Sequence, residues 1–439
     1  MKVKITKVLA IALACSAVAS GCASAMGAKV TTTKVKTQTT SAPACAAAWT
    51  ATAIYTSGNT ASENNINYLA NWWTQGNDPA TNNGVIGTGQ PWTSQGSCGS
   101  GTVTPPPVTP PPVTPPPVTP PPVTPPPTTP PAGPFSYSAY KDVGINMNWN
   151  TNVASSAVTG TLSPVTSVMP AKLSTLTWAF ATGACGSENW GGVTASAFAA
   201  ANVQAFVNAG KNYIVSTGGA AGSFTCTTDA GFLSFIKTYY SANMVGVDFD
   251  IEAGQSQADI NNLVQRVVTA QKTYPNMRFS FTIATLGGNV SPSLNVYGVN
   301  VMSAIKAYGL TNYYVNLMVM DYGSPAGGNC MLNSSGQCDM GASAIQAAKD
   351  LNTQYGVPFT QIELTPMIGG NDSASETFTI ANVATVSQFV LANKLAGVHF
   401  WSFDRDNDCA PGSASSTCNT YGTAGTLGFT NAFISQLGL

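Results

Sequence analysis

At 439 residues the chain is too long for one small domain, and at roughly 100–200 residues per unit it asks for two or three. Charged residues are only 8% of it while hydrophobic residues hold at 44%, so Ser, Thr, Asn, Gly and Pro replace the missing charge of an ordinary globular chain, which is about 25% charged. With Lys+Arg 17 against Asp+Glu 18 the formal charge is −1, and no basic stripe is present to neutralise a run of phosphates, which disfavours nucleic acid as a partner. The single histidine, His399, lies in the apolar run Val398-His399-Phe400-Trp401. It leaves no material for a multi-histidine metal site, speaks against a Ser-His-Asp triad, and reads as a core histidine.

In chain order, Lys2, Lys4 and Lys7 precede the apolar run Val8–Ala14 and then small residues, the layout of a secretory signal cleaved after Ala23-Ser24-Ala25. Loss of those three lysines takes the charge from −1 to −4. Secretion as a soluble product is expected for residues 1–25; the alternative takes Ala19-Ser20-Gly21-Cys22 as a lipoprotein box with Cys22 acylated at the cell surface. Residues 26–44, rich in Thr and Lys without apolar period, read as a flexible leader. The eight cysteines beyond Cys22 are an even set in an exported chain and read as disulfides. Position suggests Cys45–Cys98, Cys185–Cys226, Cys330–Cys338 and Cys409–Cys418, although connectivity does not follow from sequence alone.

Residues 100–134 contain a Thr-Pro-Pro-Pro-Val repeat that lacks backbone donors and is expected to form a semi-rigid polyproline spacer. It separates a small unit, 45–99, from a large one, 135–439. The small unit carries Trp49, Tyr55, Tyr68, Trp72, Trp73 and Trp92, more aromatic surface than so short a chain is expected to bury. A Cys45–Cys98 staple would compensate for its small core. Exposed rings on a rigid scaffold grip the C–H faces of pyranoses, so a sugar-binding surface is expected. The segments Ala48-Trp49, Tyr68-Leu69-Ala70-Asn71-Trp72-Trp73-Thr74-Gln75-Gly76 and Pro91-Trp92 resemble the small chitin-binding modules of families 5 and 12. That resemblance makes Tyr68, Trp72, Trp73 and Trp92 candidates for the platform.

In the large unit short apolar runs alternate with helical periodicity, the pattern of repeated β-α units. Expected strands are Val143–Met147, Thr175–Ala181, Tyr213–Ser216, Val245–Ile251, Phe279–Thr285, Val315–Met320, Ile362–Met367 and Val398–Phe403, with helices such as Gln257–Thr273 and Val383–Leu395 between them. Eight strands in this length predict an α/β fold, a (β/α)8 TIM barrel. A doubly wound sheet would want a Gly-rich phosphate turn after the first strand, and Gly144-Ile145-Asn146-Met147 is not one.

The sharpest motif is Val247-Asp248-Phe249-Asp250-Ile251-Glu252. On a strand, Asp248, Asp250 and Glu252 share a face and the three apolar residues take the other. Barrel sites lie at the C-terminal ends of strands, so Glu252 is expected nearest substrate and Asp248 deepest. Crowded carboxyls cannot all ionise cheaply, which keeps a proton available for acid catalysis. A Ca²⁺ or Mg²⁺ site would need further oxygen ligands, and none are evident; no metal or cofactor is expected.

These residues, with Ser216-Thr217-Gly218-Gly219, Met318-Val319-Met320-Asp321-Tyr322-Gly323, Met367-Ile368-Gly369-Gly370-Asn371-Asp372 and Trp401-Ser402-Phe403-Asp404-Arg405-Asp406, resemble the retaining chitinases of glycoside hydrolase family 18. Val245 stands where that family usually has a further Asp, a departure shared by a branch that spells Asp-Phe-Asp-Ile-Glu as here. The resemblance implies chitin and chitooligosaccharides as partners and substrate-assisted hydrolysis. Glu252 would be the acid and then the base, Asp250 would orient the acetamido N–H, and Asp248 would tune the proton of Asp250. Tyr322 would donate to the acetamido oxygen, Asp321 would contact the distorted sugar, Trp401 would floor it, and Met318 would pack near the acetamido methyl. About thirty residues between Met367 and Val398 leave no room for an extra wall domain, so a shallow groove and internal cutting by a monomer are expected. The rival readings are a non-catalytic chitin-binding lectin or adhesin, and an endo-β-N-acetylglucosaminidase acting on glycoprotein glycans.

Overall fold

The structure, a computed structural model, describes residues 43–53, 55, 59–70, 74, 76–84, 90–99, 135–252, 254–412 and 414–439. The expected signal, the leader up to residue 42 and the spacer, with Cys22, Trp72 and Trp73, lie outside that set. The chain divides into two units between Pro121 and Pro122.

In the first unit Thr60–Glu63, Ile66–Ala70 and Trp92–Ser97 form an antiparallel sheet. Asn64 and Asn65 both take positive φ, 51° and 61°, in the two-residue turn whose twist matches the flanking strands. Cys45 and Cys98 are bonded. The core is Ala61, Tyr68, Ala70 and Trp92, with Trp49, Tyr55 and Ile66 packed against it. This corrects two sequence expectations. Tyr68 is 3% exposed and Trp92 is fully buried, so neither is a sugar platform. Trp92 packs edge-on to Tyr55 at 4.9 Å and its indole N–H donates to the Asn77 carbonyl at 2.8 Å. A unit with so few aliphatic side chains must build its core from its rings, each contributing about 1.5–3 kcal/mol or more on burial.

The second unit is a closed barrel of eight parallel strands in chain order. They are Ser136–Asp142, Thr175–Ala181, Asn212–Gly218, Met244–Asp250, Arg278–Ala284, Tyr314–Met318, Ile362–Thr365 and Gly397–Phe400. The eighth strand pairs with the first and closes the ring. Helices Ala195–Asn208, Asp229–Tyr239, Gln257–Thr273, Val296–Tyr308, Met340–Tyr355, Ile380–Asn393 and Gly428–Leu437 follow strands two to eight. Only the four-residue Val165–Val168 follows the first.

The first strand was expected at Val143–Met147 and lies instead at Ser136–Asp142, where Tyr137 to Lys141 are all buried. Its inward residues are polar because the barrel interior is polar, so the segment carries no apolar run. The helix expected at Val383–Leu395 begins earlier, at Ile380, because Thr379 and Asn382 form a reciprocal cap. Helix Gln257–Thr273 starts on a similar box, Ser256 with Asp259, and takes the expected span. On the outer face Phe249 packs against Phe281 at 5.3 Å and Phe232 at 6.0 Å, which presses the fourth strand onto its helices. The other three disulfides, Cys185–Cys226, Cys330–Cys338 and Cys409–Cys418, pair as position suggests.

Candidate active site

Period-two alternation on the fourth strand turns Asp248, Asp250 and Glu252 to one side, while Val247, Phe249 and Ile251 are core. Asp248 is deepest and 1% exposed. Four hydroxyls donate to it: Tyr140 at 2.9 Å and Ser216 at 2.6 Å to Oδ2, Ser280 at 2.6 Å and Thr282 at 2.7 Å to Oδ1. Burial raises its ionisation above the usual aspartate range and the hydroxyls pull it back. Tyr140 is held in turn by Asn316, whose amide donates to the phenol oxygen at 2.9 Å, and Thr365 donates to Asn316 Oδ1 at 2.7 Å.

Asp250 ends the strand, and no hydrogen bond satisfies its buried Oδ1 among the described residues. Burial first, then the charges of Glu252 and Asp248, push it well above the ordinary range. The neighbouring strand makes room for it: a Cβ on Gly218 would stand 2.1 Å from the Asp250 carbonyl, and one on Gly219 would strike the Phe180 ring at 2.7 Å. Both glycines have positive φ, so glycine is required there twice over. Glu252 lies two residues beyond the strand end at the mouth; burial raises it, the Ala220 N–H opposes that, and the charge of Asp321 adds to it.

Asp250 and Glu252 line a cleft of about 580 Å³, together with Tyr140, Phe180, Met318, Met320, Asp321 and Trp401. Trp401 stacks on Phe180 with ring centres 5.7 Å apart and planes at 16°, giving an aromatic floor, and Tyr140 leans on Trp401 at 6.2 Å. Non-proline cis peptide bonds join Ala179 to Phe180 and Trp401 to Ser402. Met318 is partly exposed into the cleft, and Asp321 lies on its rim.

Tyr322, expected to face the sugar, does not line the cleft. It is 4% exposed, and its ring lies where a Cβ on Gly287 would strike it at 2.7 Å. The cause is local. Asp321 takes φ +52°, which ends the alternation of the strand and swings Tyr322 to the other side. Met320, two residues after Met318 on the same face, holds the cleft position instead.

Asp404, Arg405 and Asp406 are buried and find partners within the barrel. Asp404 pairs with buried Lys141 at 2.7 Å, Arg405 donates to the Ile368 and Gly370 carbonyls, and Asp406 accepts the N–H groups of Phe429 and Thr430 at the start of the last helix. His399 is a core residue, hydrogen-bonded through Nδ1 to Ser138 at 2.6 Å. The site residues that sequence reasoning missed are Tyr140, Phe180, Met320 and Asp372. Tyr140 was legible as the inward member of the alternation Ser138, Tyr140, Asp142; Asp372 closes the Met367–Asp372 motif but was given no role, and Phe180 has no local signal.

No family model matches the chain. It is similar to the probable bifunctional chitinase/lysozyme of Escherichia coli strain K12, 29% identical over 224 residues that make up 46% of this chain and 24% of that protein. It is also similar to endochitinase 11 of Metarhizium anisopliae, again 29% identical over 224 residues, 46% of this chain and 42% of that one. The chain thus spans less than half the length of these curated relatives. The catalytic domain of the hyperthermophilic chitinase from Pyrococcus furiosus superposes with a TM-score of 0.53 at 23% identity, covering 70% of this chain and 96% of that one, which establishes a shared barrel fold.

Proposed function

We propose that the large unit is a chitinase that cuts β-1,4-N-acetylglucosamine chains internally, with retention, through an oxazolinium formed by the substrate's own acetamido group. The observation that carries this reading is the stack of Asp248, Asp250 and Glu252 on one face, with the last two lining an open cleft floored by Trp401. The names of the curated relatives support the substrate class.

Burial and the charge of Asp321 oppose the ionisation of Glu252, which favours its acid form and suits it to protonate the leaving glycosidic oxygen. The acetamido carbonyl attacks the anomeric carbon, and Glu252 then takes a proton from the incoming water. Asp250, with an unpartnered oxygen, accepts the acetamido N–H and offsets the positive charge of the oxazolinium. Asp248, held by four hydroxyls, stays in place to share the proton of Asp250. Met318 and Met320 wall the pocket with apolar surface suited to the acetamido methyl. Between the seventh and eighth strands the chain holds one helix and a two-strand ribbon, Gly369–Gly370 with Thr377–Phe378, which supports a shallow groove and internal cutting. Four disulfides support an oxidising, extracellular setting.

The test compares the wild type with Glu252→Gln on colloidal chitin. Turnover falls by about 10²–10⁴-fold while pull-down by chitin is retained; a variant that hydrolyses as fast as its parent would refute the acid. Internal cutting shows as a rapid fall in the chain length of soluble chitosan, whereas dimer released from the outset with little shortening would oppose it. The small unit is proposed to bind chitin with one of Trp72 and Trp73 on its platform, the buried Tyr68 and Trp92 serving as its core. Deleting residues 45–99 then weakens attack on crystalline chitin more than on soluble oligomers, and equal losses on both would remove the targeting role.

A further inference from the structure

At the rim of the cleft Asp321 stands in the left-handed region, φ +52°, a conformation disfavoured for any residue with a Cβ. The loop after the seventh strand holds it there. Asn371 Oδ1 accepts the Asp321 N–H at 3.3 Å, and the Ser373 N–H donates to Asp321 Oδ1 at 3.0 Å. Beneath both, Glu376 Oε2 accepts the Tyr322 N–H at 3.1 Å, and the N–H groups of Asp321 and Gly323 also bear on that carboxylate. Glu376 is 1% exposed, its Oε1 has no hydrogen-bond partner, and no ion pair reaches it among the described residues. Its own backbone is fixed: the N–H donates to Ser373 at 2.8 Å and the carbonyl accepts from Asn371 at 3.0 Å. Glu376 does not line the cleft.

A buried carboxylate without a counterion is costly, and nothing in the barrel packing asks for one here. We propose that Glu376 is a positioning residue: its carboxylate gathers the N–H groups of the Asp321–Gly323 turn and so fixes the Asp321 side chain at the sugar-facing rim. The proposal rests on the reading of the cleft as a glycosidase site. The titratable groups that face Glu376 are Asp321 and Tyr322 from the loop after the sixth strand. Asp372 and Arg405, from the loops after the seventh and eighth strands, bear on Asp321 with opposite signs. Burial, opposed by the Tyr322 N–H and reinforced by the charge of Asp321, leaves Glu376 at about 7. Above that pH the carboxylate is ionised and clamps the turn. Below it a proton occupies one oxygen, the remaining acceptor is weaker, and the turn loosens.

The wild-type pH profile of kcat/KM on a soluble chitooligosaccharide is therefore expected to fall on its acid side near neutrality, where the base form of Glu376 is lost. In Glu376→Gln the amide oxygen accepts the turn's N–H groups at every pH, so that limb disappears while kcat/KM on the alkaline side stays within about ten-fold of wild type. In Asp321→Asn the charge that raises Glu376 is gone, and the limb of the residual activity moves to lower pH. An unchanged limb in Glu376→Gln overturns the proposal. If that variant does not fold, Asp321→Asn, altered at an exposed residue, decides alone: an unmoved limb overturns it. Glu252→Gln, run in parallel, separates the two levels: hydrolysis there as fast as wild type sinks the reading of this cleft with Glu252 as its acid, whereas its loss beside an unchanged Glu376→Gln limb sinks only the role of Glu376.

Discussion

At the N-terminal end of the barrel Glu363 meets Arg278, whose Nε donates at 2.7 Å, and His399, whose Nε2 lies 3.4 Å away. Near the C-terminal end Asp248, Asp250 and Glu252 meet hydroxyls and each other, with no ion pair among the described residues. Both groups are buried in one cylinder, yet they titrate in opposite directions. Burial pushes Glu363 up, but Arg278 and His399 overturn that and hold it at about 2. Nothing offsets burial at Asp250, and like charges raise it further. Burial alone does not make a proton store; burial without a cation does.

The largest effect that would break the comparison is on activity. Asp250→Asn keeps the shape but cannot trade a proton, so hydrolysis is expected to fall by about 10²–10³-fold. The folded ionisation of Asp250 lies above its unfolded value, so its contribution to stability is present at low pH and lost as pH rises toward the folded value. The same variant should therefore melt at or above the wild-type temperature at pH 7; a clear drop in Tm would mean that the aspartate is structural. Glu363→Gln should behave in the opposite sense. Breaking a buried pair by neutralising the carboxylate that faces Arg278 and His399 is expected to cost about 3–5 kcal/mol on denaturant unfolding, with little change in kcat/KM for the fraction that remains folded. Loss of catalysis greater than loss of folded protein would tie the lower cluster to the chemistry. The smallest effect is seen in the wild type itself. Because Glu363 is depressed to about 2, it contributes stability that is present above the unfolded carboxyl range and lost as pH falls through the folded value, about 3 kcal/mol between roughly pH 5 and pH 2. A flat unfolding free energy across that window would contradict the pairing.

The parts of the site that share one strand were legible because strand periodicity is local. Asp248, Asp250 and Glu252 need only their own alternation to point together. Tyr322 lay in register with Met318 on paper and left it, because one positive φ at Asp321 resets the alternation and no residue type marks that position. The first strand was missed for a different reason. Ser138, Tyr140 and Lys141 are polar residues of a buried strand, satisfied by partners far along the chain: Thr177 and His399 for Ser138, Asp248 for Tyr140, Asp404 for Lys141.

What the sequence by itself determined is therefore what nearest-neighbour geometry decides: the eight-fold β-α rhythm and the shared face of the three carboxyls. What only the tertiary structure decided is which polar groups complete one another across the barrel and which rings the small unit spends on its core. Four hydroxyls from three other strands hold Asp248, and the seventh-strand loop holds Asp321. Those partners are chosen by closure of the barrel, which joins residues more than a hundred positions apart, and no pattern confined to one segment carries that information.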